Sequence, residues 1–138
     1  MPDRFVVSAF VALVESGKYI EALQRFYHLD AVVWENQQQS RTGLDALIEN
    51  EQRVLNTFTT VTGRAVTVLV DGDQVCINWR FDFFRDTLHL TLDELAVQQW
   101  IDGRIVRERF YYDPAQLRPD AGQAMGEGNE PRVSSARA

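Results

Sequence analysis

The sequence predicts an α+β domain in which three helices cover one face of a curved, mostly antiparallel sheet. Two patterns carry this. Up to Phe58, apolar residues recur every three or four positions, interrupted by one short β-rich run at 31–36; beyond Thr59 the period falls to two, in long segments separated by tight turns. Composition agrees: 138 residues with 45% hydrophobic and 11% aromatic side chains suffice for a single core without a metal or disulfide.

The elements follow in order. Asp3 is a suitable N-cap for a first helix whose apolar residues are Val6, Phe10, Leu13 and Val14 and which stops at Ser16-Gly17. Tyr19, Ile20, Leu23, Phe26 and Tyr27 give a second short helix ending near 28–30, and Ala31 to Asn36 reads as a strand. Thr42 is expected to cap a third helix with the stripe Leu44, Leu47, Ile48, Val54, Leu55 and Phe58, interrupted by Glu51. Four strands follow, Arg64–Val70, Gln74–Phe84, His89–Ile101 and Arg104–Tyr112, with turns at 71–73, 85–87 and 102–103 and a bulge expected at Asp93-Glu94. A domain over 1–117 and a flexible tail over 118–138 are expected, since the tail holds almost no large apolar side chain.

Charge and composition narrow the function. A net charge of −6 with scattered basic residues repels phosphate backbones, so no nucleic-acid partner is expected. Apolar runs such as Phe5 to Val14 are too short to cross a bilayer, and Met1 to Arg4 show no secretory start, so the expectation is a cytoplasmic protein with no membrane partner. With only His28, His89 and Cys76 as imidazole or thiol donors, and no glycine-rich phosphate loop, neither a metal nor any other cofactor is expected.

The element order, with Val14-Glu15-Ser16-Gly17, Asp30 to Asn36, Gly43 to Leu47, and Gly103 to Val106 followed by Tyr111-Tyr112-Asp113, resembles the nuclear-transport-factor-2-like superfamily in its SnoaL-like branch, over roughly residues 3–117. The resemblance implies a cone-shaped domain with a pocket between helices and sheet, assembled as a homodimer, and binding a small hydrophobic or aromatic molecule. Members include polyketide cyclases, isomerases, dehydratases, epoxide hydrolases and plain binding proteins, so fold does not fix activity. Three readings stay open: a cofactor-independent acid–base enzyme of the cyclase, dehydratase or isomerase kind; a non-catalytic ligand-binding or interaction domain; and a limonene-epoxide-hydrolase-like enzyme.

By the same resemblance, Trp34 and Asn36 on the first strand, and Glu108, Phe110 and Tyr112 on the last, face the pocket; alternation adds Ala96, Gln98 and Trp100, provided the bulge precedes Ala96. Phe10 and Tyr27 join this wall from the helical half. On Gln74–Phe84 either the Val75-Ile77-Trp79-Phe81-Phe83 set or the Cys76-Asn78-Arg80-Asp82-Phe84 set can look inward. Epoxide-hydrolase relatives use an Arg-x-Asp pair, which Arg80 and Asp82 would supply beside Asn36, with Glu108 as a substitute second carboxylate because Phe110 occupies the usual position. His89 is a further candidate base. Steroid-isomerase chemistry is not expected, since its base and its two oxyanion donors match Asn36, Phe10 and Ala96.

Overall fold

The computed structural model describes residues 2–119. Asp3 accepts a hydrogen bond from Phe5 N and opens α1 (Arg4–Glu15), which buries Val7, Phe10 and Val14. Helix α2 (Tyr19–Phe26) runs without a loop into β1 (Tyr27–Glu35), so the first strand begins four residues before the apolar run at Ala31. A two-residue strand β2 (Arg41–Thr42) precedes α3 (Leu44–Thr57). The N-cap of α3 is Gly43, not Thr42, because Thr42 is held in β2 opposite Val32.

The remaining strands are β3 (Thr60–Asp71), β4 (Gln74–Arg85), β5 (Leu88–Ile101) and β6 (Arg104–Tyr111), followed by a 3-10 turn at Pro114–Leu117. They form one sheet in the order β2-β1-β6-β5-β4-β3, antiparallel except where β1 meets β6. The β5–β6 hairpin turns on Asp102 and Gly103, with φ of 51° and 77°. Both values are positive, as a two-residue turn that follows the sheet twist requires. The expected tail, 118–138, falls outside the described residues from 120 onward.

The sheet's inner face is aromatic. Val75, Ile77, Trp79, Phe81 and Phe83 are buried, which settles the orientation of β4 in favour of its apolar set. Phe10 is the hub, 5.6 Å from Phe26, 6.2 Å from Tyr27, 6.3 Å from Trp79 and 5.8 Å from Trp100 between ring centroids. Such edge-on and tilted contacts add to the burial of each ring.

Two register details differ from the alternation read in the sequence. Asp93 and Glu94 form no bulge: β4 and β5 pair without interruption from Gln74↔Gln99 to Arg85↔Leu88. The bulge lies instead in β6, where Gln99 pairs with Arg107 but Trp100 pairs with Ile105. The extra residue, Val106, lets both Ile105 and Glu108 face the core although they are three apart.

Gly63 shows how tightly this face is packed. A Cβ there would lie 2.4 Å from Cε1 and 2.5 Å from Cδ1 of the buried Phe81 ring, its cross-strand partner. Gly63→Ala should therefore cost about 1–3 kcal/mol in urea unfolding, with part of the loss recovered in Gly63→Ala/Phe81→Leu. A loss indistinguishable from zero would show that the ring can swing aside.

Candidate functional site

The interior between helices and sheet carries an unusual load of polar groups. Glu51, Glu94 and Glu108 are 0%, 2% and 1% exposed, and Gln98 is also fully buried. Burying a carboxyl is costly unless it is neutral or well bonded. For Glu108 the bonding is explicit. Tyr27 Oη, from the α2–β1 junction, donates to Oε1, and Gln98 Nε2 donates to Oε2 at 2.7 Å. Gln98 can reach because it pairs directly with Glu108 across β5–β6. Trp100, two residues along the same strand face, donates Nε1 to Gln98 Oε1 at 2.9 Å.

This setting sets the electrostatics. Desolvation pushes the Glu108 carboxyl up from its ordinary 4.5 to about 8, although the hydrogen bonds from Gln98 and Tyr27 pull the other way. Burial, and then the negative charge of Glu108, also raises Tyr27 well above its ordinary value, with Glu51 and Glu94 adding to the effect. At neutral pH the site therefore holds a neutral carboxylic acid against a neutral phenol. Two interior donors lack acceptors: Trp79 Nε1, whose residue pairs with Glu94 across β4–β5, and Asn50 Nδ2 on α3. Among the described residues no group of three or more His, Cys, Asp or Glu side chains is arranged to hold a metal ion.

The structure brings together Phe10, Tyr27, Gln98, Trp100, Phe110 and Glu108, all buried on the inner side. The rest of the expected set lies elsewhere. On β1 the inward residues are Ala31, Val33 and Glu35, one step out of phase with Trp34 and Asn36. Trp34 instead lies at the outer face with the guanidinium carbons of Arg107 and Arg109 at 4.7 and 4.9 Å from its ring centroid. There it borders a cleft of about 190 Å³ that also involves Gln99 and Tyr111. Asn36 takes φ 51° after the strand, accepts Tyr112 N on Oδ1 at 3.0 Å, and accepts Arg109 on its carbonyl; it is a strand-end clamp. Tyr112 donates to the buried Glu35 at 2.5 Å, and Arg41 reaches the other oxygen of Glu35 at 2.7 Å.

Arg80, Asp82 and His89 gather on the outer face, away from Glu108, because the apolar set of β4 turns inward. Asp82 Oδ1 contacts His89 Nε2 at 2.8 Å and accepts from Thr91 Oγ1 at 2.7 Å; Arg80 pairs with Asp93 at 3.9 Å. Burial, the largest single influence, pushes Asp82 up, but the bonds from His89 and Thr91 and the charges of His89 and Arg80 together outweigh it and leave its pKa lowered. The convergence of Arg80, Asp82 and Asn36 with Glu108 does not form. Reading the sequence missed Glu51, Glu94 and Glu35 as interior groups. The signal was present for two of them: Glu51 stands four after Leu47 and three before Val54, and Glu94 shares its parity with Leu90, Leu92 and Ala96.

Comparison with known proteins agrees with this architecture. The profile of the SnoaL-like domain family matches residues 7–108. The chain belongs to the SnoaL-like domain family. No curated protein sequence matches it. Among solved structures, it is similar to a Mesorhizobium loti protein described as a SnoaL-like polyketide cyclase, with 24% identity, 81% of this chain and 100% of that chain covered, and a TM-score of 0.71. An LEH-like epoxide hydrolase of M. tuberculosis superposes with TM-score 0.67 at 17% identity, covering 80% and 82% of the two chains. TerC, co-crystallized with polyporic acid, superposes with TM-score 0.70 at 18% identity, covering 83% and 94%. At these identities the SnoaL-like neighbours establish the shared fold. No helix among the described residues is long and apolar enough to cross a membrane.

The raised Glu108 has a consequence for stability. The folded protein keeps this proton to about pH 8, whereas an unfolded chain releases it near 4.5, so folding binds a proton between these values. Glu108 therefore favours the folded state fully below pH 4.5, and this contribution is lost as pH rises to about 8, by on the order of 5 kcal/mol at most. Thermal unfolding should show the wild type losing stability between pH 5 and 8 and Glu108→Gln losing much less. Parallel curves for the two proteins would contradict the buried neutral acid.

Proposed function

We propose that this SnoaL-like chain is a cofactor-independent acid–base protein, of the cyclase, dehydratase or isomerase kind, acting on a small hydrophobic substrate at the Tyr27–Glu108 pair. The observation that carries this reading is Glu108, a carboxyl kept neutral near pH 7 by desolvation inside an aromatic interior, with Tyr27 and Gln98 as its hydrogen-bond partners. A stored proton at near-neutral pKa is what general acid catalysis needs. The remaining interior carboxyls, Glu51 and Glu94, supply candidates for the complementary base. Trp79 Nε1 and Asn50 Nδ2 support a substrate bearing acceptor oxygens. The polyketide-cyclase description and the polyporic acid of two structural neighbours are in keeping with an oxygenated hydrophobic ligand.

A second reading, a ligand holder without turnover, is favoured by the Trp100–Gln98–Glu108–Tyr27 chain, whose members already satisfy one another. Epoxide hydrolysis finds less support, because Arg80 and Asp82 sit on the other face of the sheet.

Two probes separate the readings. Binding is followed by tryptophan fluorescence with polyporic acid, and proton transfer by solvent deuterium uptake into 2-tetralone, a small aromatic ketone with acidic α-hydrogens. We expect saturable binding in both wild type and Glu108→Gln, and exchange about 100-fold faster in wild type than in the variant. Binding without exchange selects the ligand holder, and absence of both removes the pocket reading.

Assembly as a homodimer through the outer sheet face is proposed from Leu69, Leu95 and Tyr111, which are exposed there. Sedimentation at micromolar concentration should give a dimer that Leu95→Arg converts to monomer; a wild-type monomer would contradict the proposal.

A further inference from the structure

The order of donors around Glu108 defines where its proton sits. An indole N–H only donates. Trp100 Nε1 lies 2.9 Å from the Gln98 amide oxygen, so that amide must present its carbonyl to Trp100 and its NH2 to Glu108. A flipped amide would set two donors against each other. Glu108 Oε2 is thereby an acceptor in either protonation state, and a hydroxyl oxygen is a poorer acceptor than a carbonyl. The proton of the neutral acid consequently belongs on Oε1, the oxygen that meets Tyr27.

A second step follows from the phenol. When Glu108 is ionised, Tyr27 donates its hydrogen to Oε1. When Glu108 is neutral, Oε1–H donates to Tyr27 Oη, and the phenolic hydrogen must turn away from Glu108. The region around Tyr27 includes Glu51 and Glu94, whose charges act on it.

We propose that Trp100 and Gln98 are positioning residues that confine the Glu108 proton to Oε1, so that Tyr27, and not Glu108, presents a hydrogen to the carbonyl oxygen of a neutral substrate. This rests on the acid–base reading above. In the transfer, the Tyr27 O–H bond breaks as the substrate O–H bond forms. The electron pair left on the Tyr27 oxygen takes up the proton from Glu108 Oε1, and the carboxylate that remains keeps the Gln98 N–H as its donor. The phenol is restored, and the substrate oxygen gains one proton.

The test needs no substrate. Protein carrying 13C at the glutamate carboxyl and the tyrosine Cζ carbons is titrated by NMR as wild type, Trp100→Phe and Gln98→Met, with Glu108 and Tyr27 assigned through Glu108→Gln and Tyr27→Phe. In the wild type, Tyr27 Cζ should inflect at the Glu108 midpoint, reporting the reversal of their hydrogen bond. Gln98→Met removes the donor from Oε2 and should raise that midpoint by about one pH unit; Trp100→Phe frees the amide that carries this donor and should raise it in the same direction by less, and the Tyr27 inflection should move with it in both. If Trp100→Phe does not fold, Gln98→Met alone carries the test. An unchanged Glu108 midpoint in the folded variants, or a Tyr27 resonance flat through the wild-type midpoint, overturns the proposal. Failure of 2-tetralone exchange with these shifts intact would fault the enzymatic reading while leaving the proton arrangement standing.

Discussion

A carboxyl group inside an aromatic core is the constraint that organises this molecule. Glu108 cannot be ionised there cheaply, and it cannot be moved, since it is a β6 residue locked between β1 and β5. The fold answers with hydrogen-bonding partners from two directions: a phenol from the end of α2 and an amide from the neighbouring strand. Each is itself tied down. Tyr27 packs against Phe10 at the centre of the core, and Gln98 is held by the indole of Trp100. A buried polar chain of this kind is stable only when every member is satisfied, so the aromatic packing and the proton chemistry are one arrangement.

The β6 bulge makes that arrangement possible. Strict alternation from Glu108 would point Val106 at the core and Ile105 at solvent. The extra residue at Val106 restores Ile105 to the interior and lets Trp100 pair with it while Gln98 stays opposite Glu108. On the same strand Arg107 and Arg109 project outward and cover Trp34, so the two faces of β6 are unlike: one presents a neutral acid, the other guanidinium groups on an indole.

Much of the fold was legible in the sequence because its signals were local. Periodicity located α1, α3 and the long strands, and Asp102-Gly103 marked a turn whose residues must take positive φ. On β6 the family resemblance placed Glu108 and Phe110 inward, and alternation along β5 then added Gln98 and Trp100. What failed was phase on β1. The family resemblance placed Trp34 inside, but the tryptophan is covered by two arginines, and its neighbour Glu35 is buried because Tyr112 and Arg41 complete it. Partners distant in sequence decide such a choice, and a single-residue slip exchanges the faces of a whole strand. Glu51 and Glu94 show a different failure: their positions in the apolar pattern were correct for burial, and their charge argued against it.

The central claim is that Glu108 is a neutral acid in the resting protein. Infrared difference spectroscopy of wild type against Glu108→Gln measures this directly. A carboxylic-acid carbonyl band present at pH 7 that gives way to the carboxylate band around pH 8 agrees with the account. Carboxylate absorption already complete at pH 6 would contradict it.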